Sequence, residues 1–271
     1  MKFCTCWSVK NGGSGGTSTD SLLAGNLDFV TSGISNMLLL WARTGGQVKA
    51  LSAVAKQRGI PFMISIAAAP PITEQGYKFV FRNFPRAPEI VGGAFNVQRQ
   101  LFAASGKTPS KCVVIHANDT YGTAIRGAIG AMFPAQNMPY QIVDFISYDP
   151  QARDLSVEVA KAKATNADAL LVVSRLSDAM LLTRELVKQR WTPQAIMSMG
   201  PGYYEDQYLR TLGKYGDFVL STVPWYNPKK PLSKLLIAEW GKKHPDLSID
   251  TNVQYSLEAV LTVVDAFQRA G

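Results

Sequence analysis

The stretch Cys112-Val113-Val114-Ile115-His116-Ala117-Asn118-Asp119-Thr120-Tyr121-Gly122, followed by Ile125, Ala128, Ile129 and Met132, decides the fold class. Cys112 to Ala117 is a mostly apolar run and reads as a strand. The four residues after the turn fall at i, i+3, i+4 and i+7, the full template of one helical face. A strand feeding directly into a helix is the building unit of α/β folds.

The same alternation extends in both directions. Upstream, Val48, Leu51 and Ala55 fit one helix face. Ile60 to Ser65 reads as a buried strand, and Ile90, Ala94, Val97 and Leu101 fall at helical spacing. Downstream, Gln141 to Tyr148 is strand-like, Leu155, Val159 and Ala162 form a helix stripe, and Ala169 to Val173 is a short buried strand. Ala179, Leu182 and Leu186 share a helix face, Phe218 to Val223 reads as a strand, and Leu257, Val260, Leu261 and Val264 complete a helix template. Strands alternating with helices predict parallel sheets covered on both faces. Ligands in such sheets bind outside the carboxyl ends of the strands, so the loops after the strands are where function is sought. No internal repeat is evident.

Composition bounds the partners. The chain has 271 residues, 46% hydrophobic and 18% charged, which is globular rather than disordered. No apolar run approaches the ~20 residues that cross a bilayer. Met1-Lys2-Phe3-Cys4 has no apolar segment behind it, so no signal peptide is visible. Either the protein is cytoplasmic or the sequence starts after its targeting segment. The net charge of +8 is spread along the chain, with only small pairs such as Lys229-Lys230 and Lys242-Lys243. This points to solvated surface and not to nucleic acid, although a positive field draws anionic ligands. Of three cysteines, Cys4 and Cys6 are too close along a strand to bond without strain, and Cys112 reads as a small buried apolar residue. With only His116 and His244, neither at ligand-like spacing from a cysteine, no metal or other cofactor is expected. Gly12 to Ser18 is a flexible low-complexity stretch that reads equally as an engineered joint, a tag scar or a natural loop.

Four passages carry a family resemblance. Gly59-Ile60-Pro61-Phe62-Met63-Ile64-Ser65-Ile66-Ala67-Ala68-Ala69-Pro70-Pro71-Ile72-Thr73-Glu74, continued by Lys78 to Pro85, is the first. The others are Val113 to Gly122, Asn166 to Ala179, and Val219-Leu220-Ser221-Thr222-Val223-Pro224-Trp225-Tyr226-Asn227-Pro228. In this order and at these separations they resemble the branched-chain amino-acid-binding (leucine/isoleucine/valine-binding) family. These are type I extracellular solute-binding proteins of ABC importers.

The resemblance implies two Rossmann-like lobes with parallel sheets joined by a hinge. Residues 1–84 with 229–271 would form the first, incomplete lobe and 85–228 the second. By this comparison the chain is short at both ends, which predicts poor stability for the chain alone. Lobes of this family close around their ligand by a hinge motion.

The resemblance also nominates a pocket. In the family an amino acid is held by backbone and hydroxyl donors of the first lobe, and an acid and an aromatic residue of the second complete the cleft. Ser35 and Asn36 lie near the first donor loop. Ala67 and Ala68 lie on the second, where Ala68 replaces the family's threonine. Tyr121 takes the place of a cleft aromatic, or packs a strand-to-helix turn. Ser174 and Arg175 follow a strand; the arginine either clamps a carboxylate bidentately or lies free on the surface. Gly202 and Tyr203 sit in the loop that carries the family's ammonium-pairing acid, and no acid stands there. Trp225 and Tyr226 either stack on an aromatic ligand or pack the hinge. A lost hydroxyl, a lost acid and an added arginine suit a carboxylate without an ammonium group.

The expectation is therefore a monomeric, non-catalytic binding protein, periplasmic by resemblance. Its partners are a small amino acid or carboxylate and the permease subunits of a transporter. No nucleophile elbow, phosphate loop or zinc-protease motif is present. A cytoplasmic ligand-sensing regulator of the same fold, similar to amide-responsive regulators, is the alternative. An enzyme using His116 and Asp119 ranks below both.

Overall fold

The computed structural model describes Lys56 and residues 59–270. Ser35, Asn36, Cys4, Cys6, the Gly12–Ser18 stretch and the helix face of Val48, Leu51 and Ala55 lie outside the described residues. The chain divides into two compact units. The described residues up to 67, with 71–84 and those from 255 on, form one, and 68–70 with 85–254 form the other. Residues 229–254, expected with the first lobe, therefore belong with the second unit.

In the first unit, β1 (Phe62–Ile64) pairs in parallel with β2 (Val80–Arg82), Phe62 opposite Val80 and Ile64 opposite Arg82. Ile64 and Val80 are its buried centre, with Phe62, Ala67, Ile72 and Tyr77 packed around them. The Asn83 side-chain amide donates to the Tyr255 carbonyl at 2.8 Å, and Phe84 meets the Tyr255 ring edge-on.

The second unit opens with α1 (Ala87–Ser105). It continues through β3 (Lys111–Ala117), α2 (Thr120–Met132), β4 (Gln141–Tyr148), α3 (Ser156–Ala164), β5 (Ala169–Val173) and α4 (Leu176–Lys188). It ends with β6 (Ala195–Ser198), α5 (Asp206–Leu212), β7 (Leu220–Ser221) and α6 (Pro231–Lys243). The helix α7 (Thr251–Ala270) starts in this unit and runs into the first. The five strands form one all-parallel sheet in the order β4-β3-β5-β6-β7. Every residue of β5 is buried, as expected of a central strand covered on both faces.

Alternation along the strands builds the core. Val113, Ile115 and Ala117 of β3 and Leu170 and Val172 of β5 join Val159, Leu182, Leu186 and Tyr208 in one buried cluster. Ile125 and Ile129 of α2 are fully buried as their spacing predicts. At the start of α2, a Cβ on Gly122 would stand 2.0 Å from the Ala117 carbonyl oxygen. Only glycine lets the helix approach the strand end this closely.

The structure differs from the expectation at several elements. The strand read at Ile60–Ser65 is confined to Phe62–Ile64. The one read at Phe218–Val223 shrinks to Leu220–Ser221, because Phe218 takes a left-handed backbone (φ 64) and is 98% exposed. The strands β2 and β6 and the helix α6 have no counterpart in the sequence expectation. In α1 the buried face is Ile90, Val91, Ala94, Phe95, Gln98 and Phe102, whereas Val97 and Leu101 are 41% and 40% exposed.

The corrected face of α1 makes a direct prediction. Phe95→Ala should cost about 3–5 kcal/mol, whereas Val97→Ser should stay within about 0.5 kcal/mol. Urea unfolding followed by circular dichroism checks both values.

Candidate functional site

The strand order reverses direction between β3 and β5: the chain leaves β3 for β4 on one side and later reaches β5 on the other. In open parallel sheets this switch point is where a crevice forms at the carboxyl ends. The turns there are Asn118 to Tyr121 after β3, Ser174 and Arg175 after β5, and Met199 to Tyr203 after β6.

Asp119 caps α2, its Oδ1 accepting the Gly122 N–H at 2.8 Å. Its other oxygen, Oδ2, accepts from Arg175 Nη1 at 2.5 Å. The pair is part-exposed, 42% for the arginine side chain and 27% for the aspartate. The guanidinium lies over the Tyr121 ring, 5.3 Å from its centre. The Tyr121 hydroxyl donates to the Met199 carbonyl at 2.8 Å. Burial pushes the Tyr121 phenol up against the opposing influence of the Arg175 charge. Arg175 is itself the N-cap of α4, and its N–H donates to Asp178 Oδ2 at 3.3 Å. The Tyr148 hydroxyl, at the end of β4, donates to the same oxygen at 3.0 Å. Among the described residues, Nε and Nη2 of Arg175 carry no hydrogen bond. One edge of the guanidinium is therefore available for a bidentate anion contact.

The glycines fix the third turn. A Cβ on Gly200 would stand 2.7 Å from the Ser174 carbonyl oxygen and 2.8 Å from the Tyr121 hydroxyl. On Gly202 it would stand 2.4 Å from the Arg175 carbonyl oxygen. The Gly202 N–H donates to the Ser174 carbonyl at 3.3 Å. Ser174 is fully buried, and its hydroxyl has no hydrogen-bond partner among the described residues.

The other nominated residues fall as follows. Ala68 is buried, its carbonyl taken by the Ala87 N–H at 2.8 Å at the start of α1, and Ala67 packs in the first unit. Tyr203 is buried, its ring against Tyr208 inside the core cluster, which makes it a packing residue. Trp225 is 51% exposed and stacks on Tyr226 at 5.0 Å, and Tyr204 meets Trp225 edge-on at 6.0 Å. His116 is buried with Nδ1 3.0 Å from the Ala117 carbonyl, and burial lowers its pKa. Cys112 is fully buried, and burial pushes its thiol up. Among the described residues no cluster of His, Cys, Asp or Glu is arranged to hold a metal. None of their helices is long and apolar enough to cross a membrane.

Sequence reasoning misses Asp119 as the partner of Arg175, and Tyr204 as part of the aromatic group. The signal for Asp119 is its N-cap position just ahead of a helix template. Tyr204 has none beyond its type.

Residues 38–271 match the family described as periplasmic binding protein. This chain belongs to that family. A "Leu/Ile/Val-binding protein homolog 7" of Brucella suis is 27% identical over 163 residues, 59% of this chain and 40% of the relative. The chain thus spans well under half the length of the curated relatives it matches. Among solved structures, a leucine-binding protein of Thermotoga maritima superposes with TM-score 0.67 at 19% identity, covering 81% of this chain and 60% of that one. A solute-binding protein of an ABC transporter from R. palustris, in complex with benzoate, gives 0.69 at 15%, covering 90% and 63%. The type I periplasmic-binding-protein fold and the resemblance to the Leu/Ile/Val-binding proteins are thereby established.

Glu205, the N-cap of α5, supplies a pH prediction. Burial, then the charge of Asp250, raises its pKa above the ordinary 4.5. A carboxyl with a raised folded pKa adds stability only when protonated, below the unfolded value, and loses it as pH rises through the folded one. Glu205→Gln should therefore raise the thermal midpoint at pH 7 to 8, and the gain should vanish as pH falls toward 4.5. Midpoints measured across that range check the sign.

Proposed function

We propose that this chain is the non-catalytic, ligand-capturing part of an ABC importer and that it binds a small carboxylate at the carboxyl ends of β3, β5 and β6. The carrying observation is the Arg175 guanidinium, fixed at the switch point over Tyr121 with one edge unbonded. A planar guanidinium meets a carboxylate with two parallel hydrogen bonds. Tyr121, Trp225 and Tyr226 offer aromatic faces, and Ser174 and the Gly202 backbone lie beside the arginine. Ser35, Asn36, Ala67 and Ala68 remain proposed ligand residues.

The ligand class follows from what stands beside the arginine. Relatives named for leucine, isoleucine and valine and a structural neighbour holding benzoate bracket the choice between amino acid and aromatic acid. No acid stands in the Gly200–Tyr203 turn, where the resemblance places the one that pairs with an ammonium group, and Asp119 is already committed to Arg175 and the Gly122 N–H. That favours an acid lacking an ammonium group. Export to the periplasm, permease subunits as partners and a monomeric state belong to the same proposal.

Titration calorimetry of the 271-residue chain with benzoate, substituted benzoates and leucine tests it. A benzoate-type acid should bind, and Arg175→Met should weaken it by at least about tenfold, the effect of a lost charge-assisted hydrogen bond. Tight leucine binding without benzoate binding, or an Arg175→Met protein that binds benzoate normally, overturns the reading.

A further inference from the structure

We infer that Asp119 sets the anion specificity of this site, acting as a built-in anion that fills one edge of the Arg175 guanidinium. The inference rests on the carboxylate reading above and goes beyond it, because it assigns the discrimination between anions to a residue on a different turn.

Asp119 is held by both of its oxygens. Oδ1 takes the Gly122 N–H, and Oδ2 takes Arg175 Nη1. Its position is set by the cap on α2, and α2 is seated by the contact of Gly122 with the Ala117 carbonyl. Arg175 is held in turn: its backbone is fixed by Asp178, one face by Tyr121 and one edge by Asp119. The guanidinium therefore presents a single edge with a fixed direction.

The charge balance has a consequence for ligands. The Arg175–Asp119 pair is neutral as a unit, so a small anion gains little from long-range attraction. An incoming carboxylate gains two directed hydrogen bonds on the open edge but is repelled by Asp119 across the guanidinium. At the width of that group and at part-exposed sites, such repulsion amounts to roughly three- to tenfold in affinity. Inorganic phosphate, which has no apolar body to pack against the aromatic residues of the site, has nothing to offset it. Asp119 thus exchanges affinity for selectivity.

Asp119→Asn tests this, because asparagine is isosteric and also a good N-cap. The probes are benzoate, its neutral counterpart benzamide, and inorganic phosphate, titrated by calorimetry against the full chain at two salt concentrations. Asp119→Asn should bind benzoate roughly three- to tenfold tighter with a steeper salt dependence. It should acquire phosphate binding and leave benzamide unchanged. A merely structural role for Asp119 would alter benzoate and benzamide alike. Asp119→Ser, which also caps and carries no charge, serves as the second variant should asparagine disturb folding. Unchanged or weaker benzoate binding in a folded variant overturns the inference. Arg175→Met run in parallel separates the two claims. If it binds benzoate like the parent, the carboxylate reading itself fails. If it loses benzoate while Asp119→Asn shows no gain, only the role of Asp119 fails. Absence of benzoate binding in parent and Asp119→Asn alike overturns both.

Discussion

The parallel ladder between β3 and β5 is the constraint on which the site depends. It runs from Cys112 opposite Ala169 to His116 opposite Val173, and it ends both strands at the same height. The turn carrying Asp119 and Tyr121 and the turn carrying Arg175 then open side by side. A slip of two residues would carry one turn past the other by roughly 6.6 Å, too far for Arg175 to reach both Asp119 and Tyr121. The register is defended by packing: β5 is buried along its whole length, and a slip would replace its close-packed neighbours on both faces. Gly122 adds the second lock by letting α2 descend onto the end of β3.

Much of this framework is legible in the sequence. β3, β4 and β5 are runs of five to eight residues, and the apolar runs mark each within a residue of its ends. The short strands are less legible. β6 has four residues and β7 has two, too few for a periodic signal to rise above local noise. The helix α1 shows a different failure. Ile90 and Ala94 belong both to the stripe through Val97 and Leu101 and to the stripe through Phe95, Gln98 and Phe102. Polarity argues against Gln98, yet it is buried: Tyr140 donates to its side-chain oxygen at 2.7 Å, while its Nε2 has no partner among the described residues. Periodicity sees hydrophobicity and cannot see a hydrogen-bond partner 42 residues away.

The site divides in the same manner. The resemblance nominates Tyr121 and Arg175, and the structure brings them together. The ion pair to Asp119 spans 56 residues and the Tyr121–Met199 hydrogen bond spans 78. No spacing rule reaches across such distances; the sheet order alone creates these contacts. Tyr203 illustrates the converse. Its position in a motif loop nominates it, but its ring packs on Tyr208 in the core.

Arg175 is the residue that local stability does not explain. An N-cap favours Ser, Thr, Asp or Asn, whose short side chains accept the first free N–H groups, and a helix N-terminus disfavours a cation. Arginine at this point violates both preferences. Two carboxylates offset it: Asp178 accepts the Arg175 backbone N–H, and Asp119 neutralises the guanidinium. Part-exposed ion pairs contribute at most about 1 kcal/mol, so the arrangement gains little stability over a plain serine cap. Beside it, the Ser174 hydroxyl is buried without a partner among the described residues, a state that costs about 1–3 kcal/mol. Unfavourable choices on two successive residues, at the switch point of a parallel sheet, are where recognition is sought before stability. What the two carboxylates leave over is an oriented guanidinium edge beside an aromatic face, and that remainder is the chemistry a carboxylate needs.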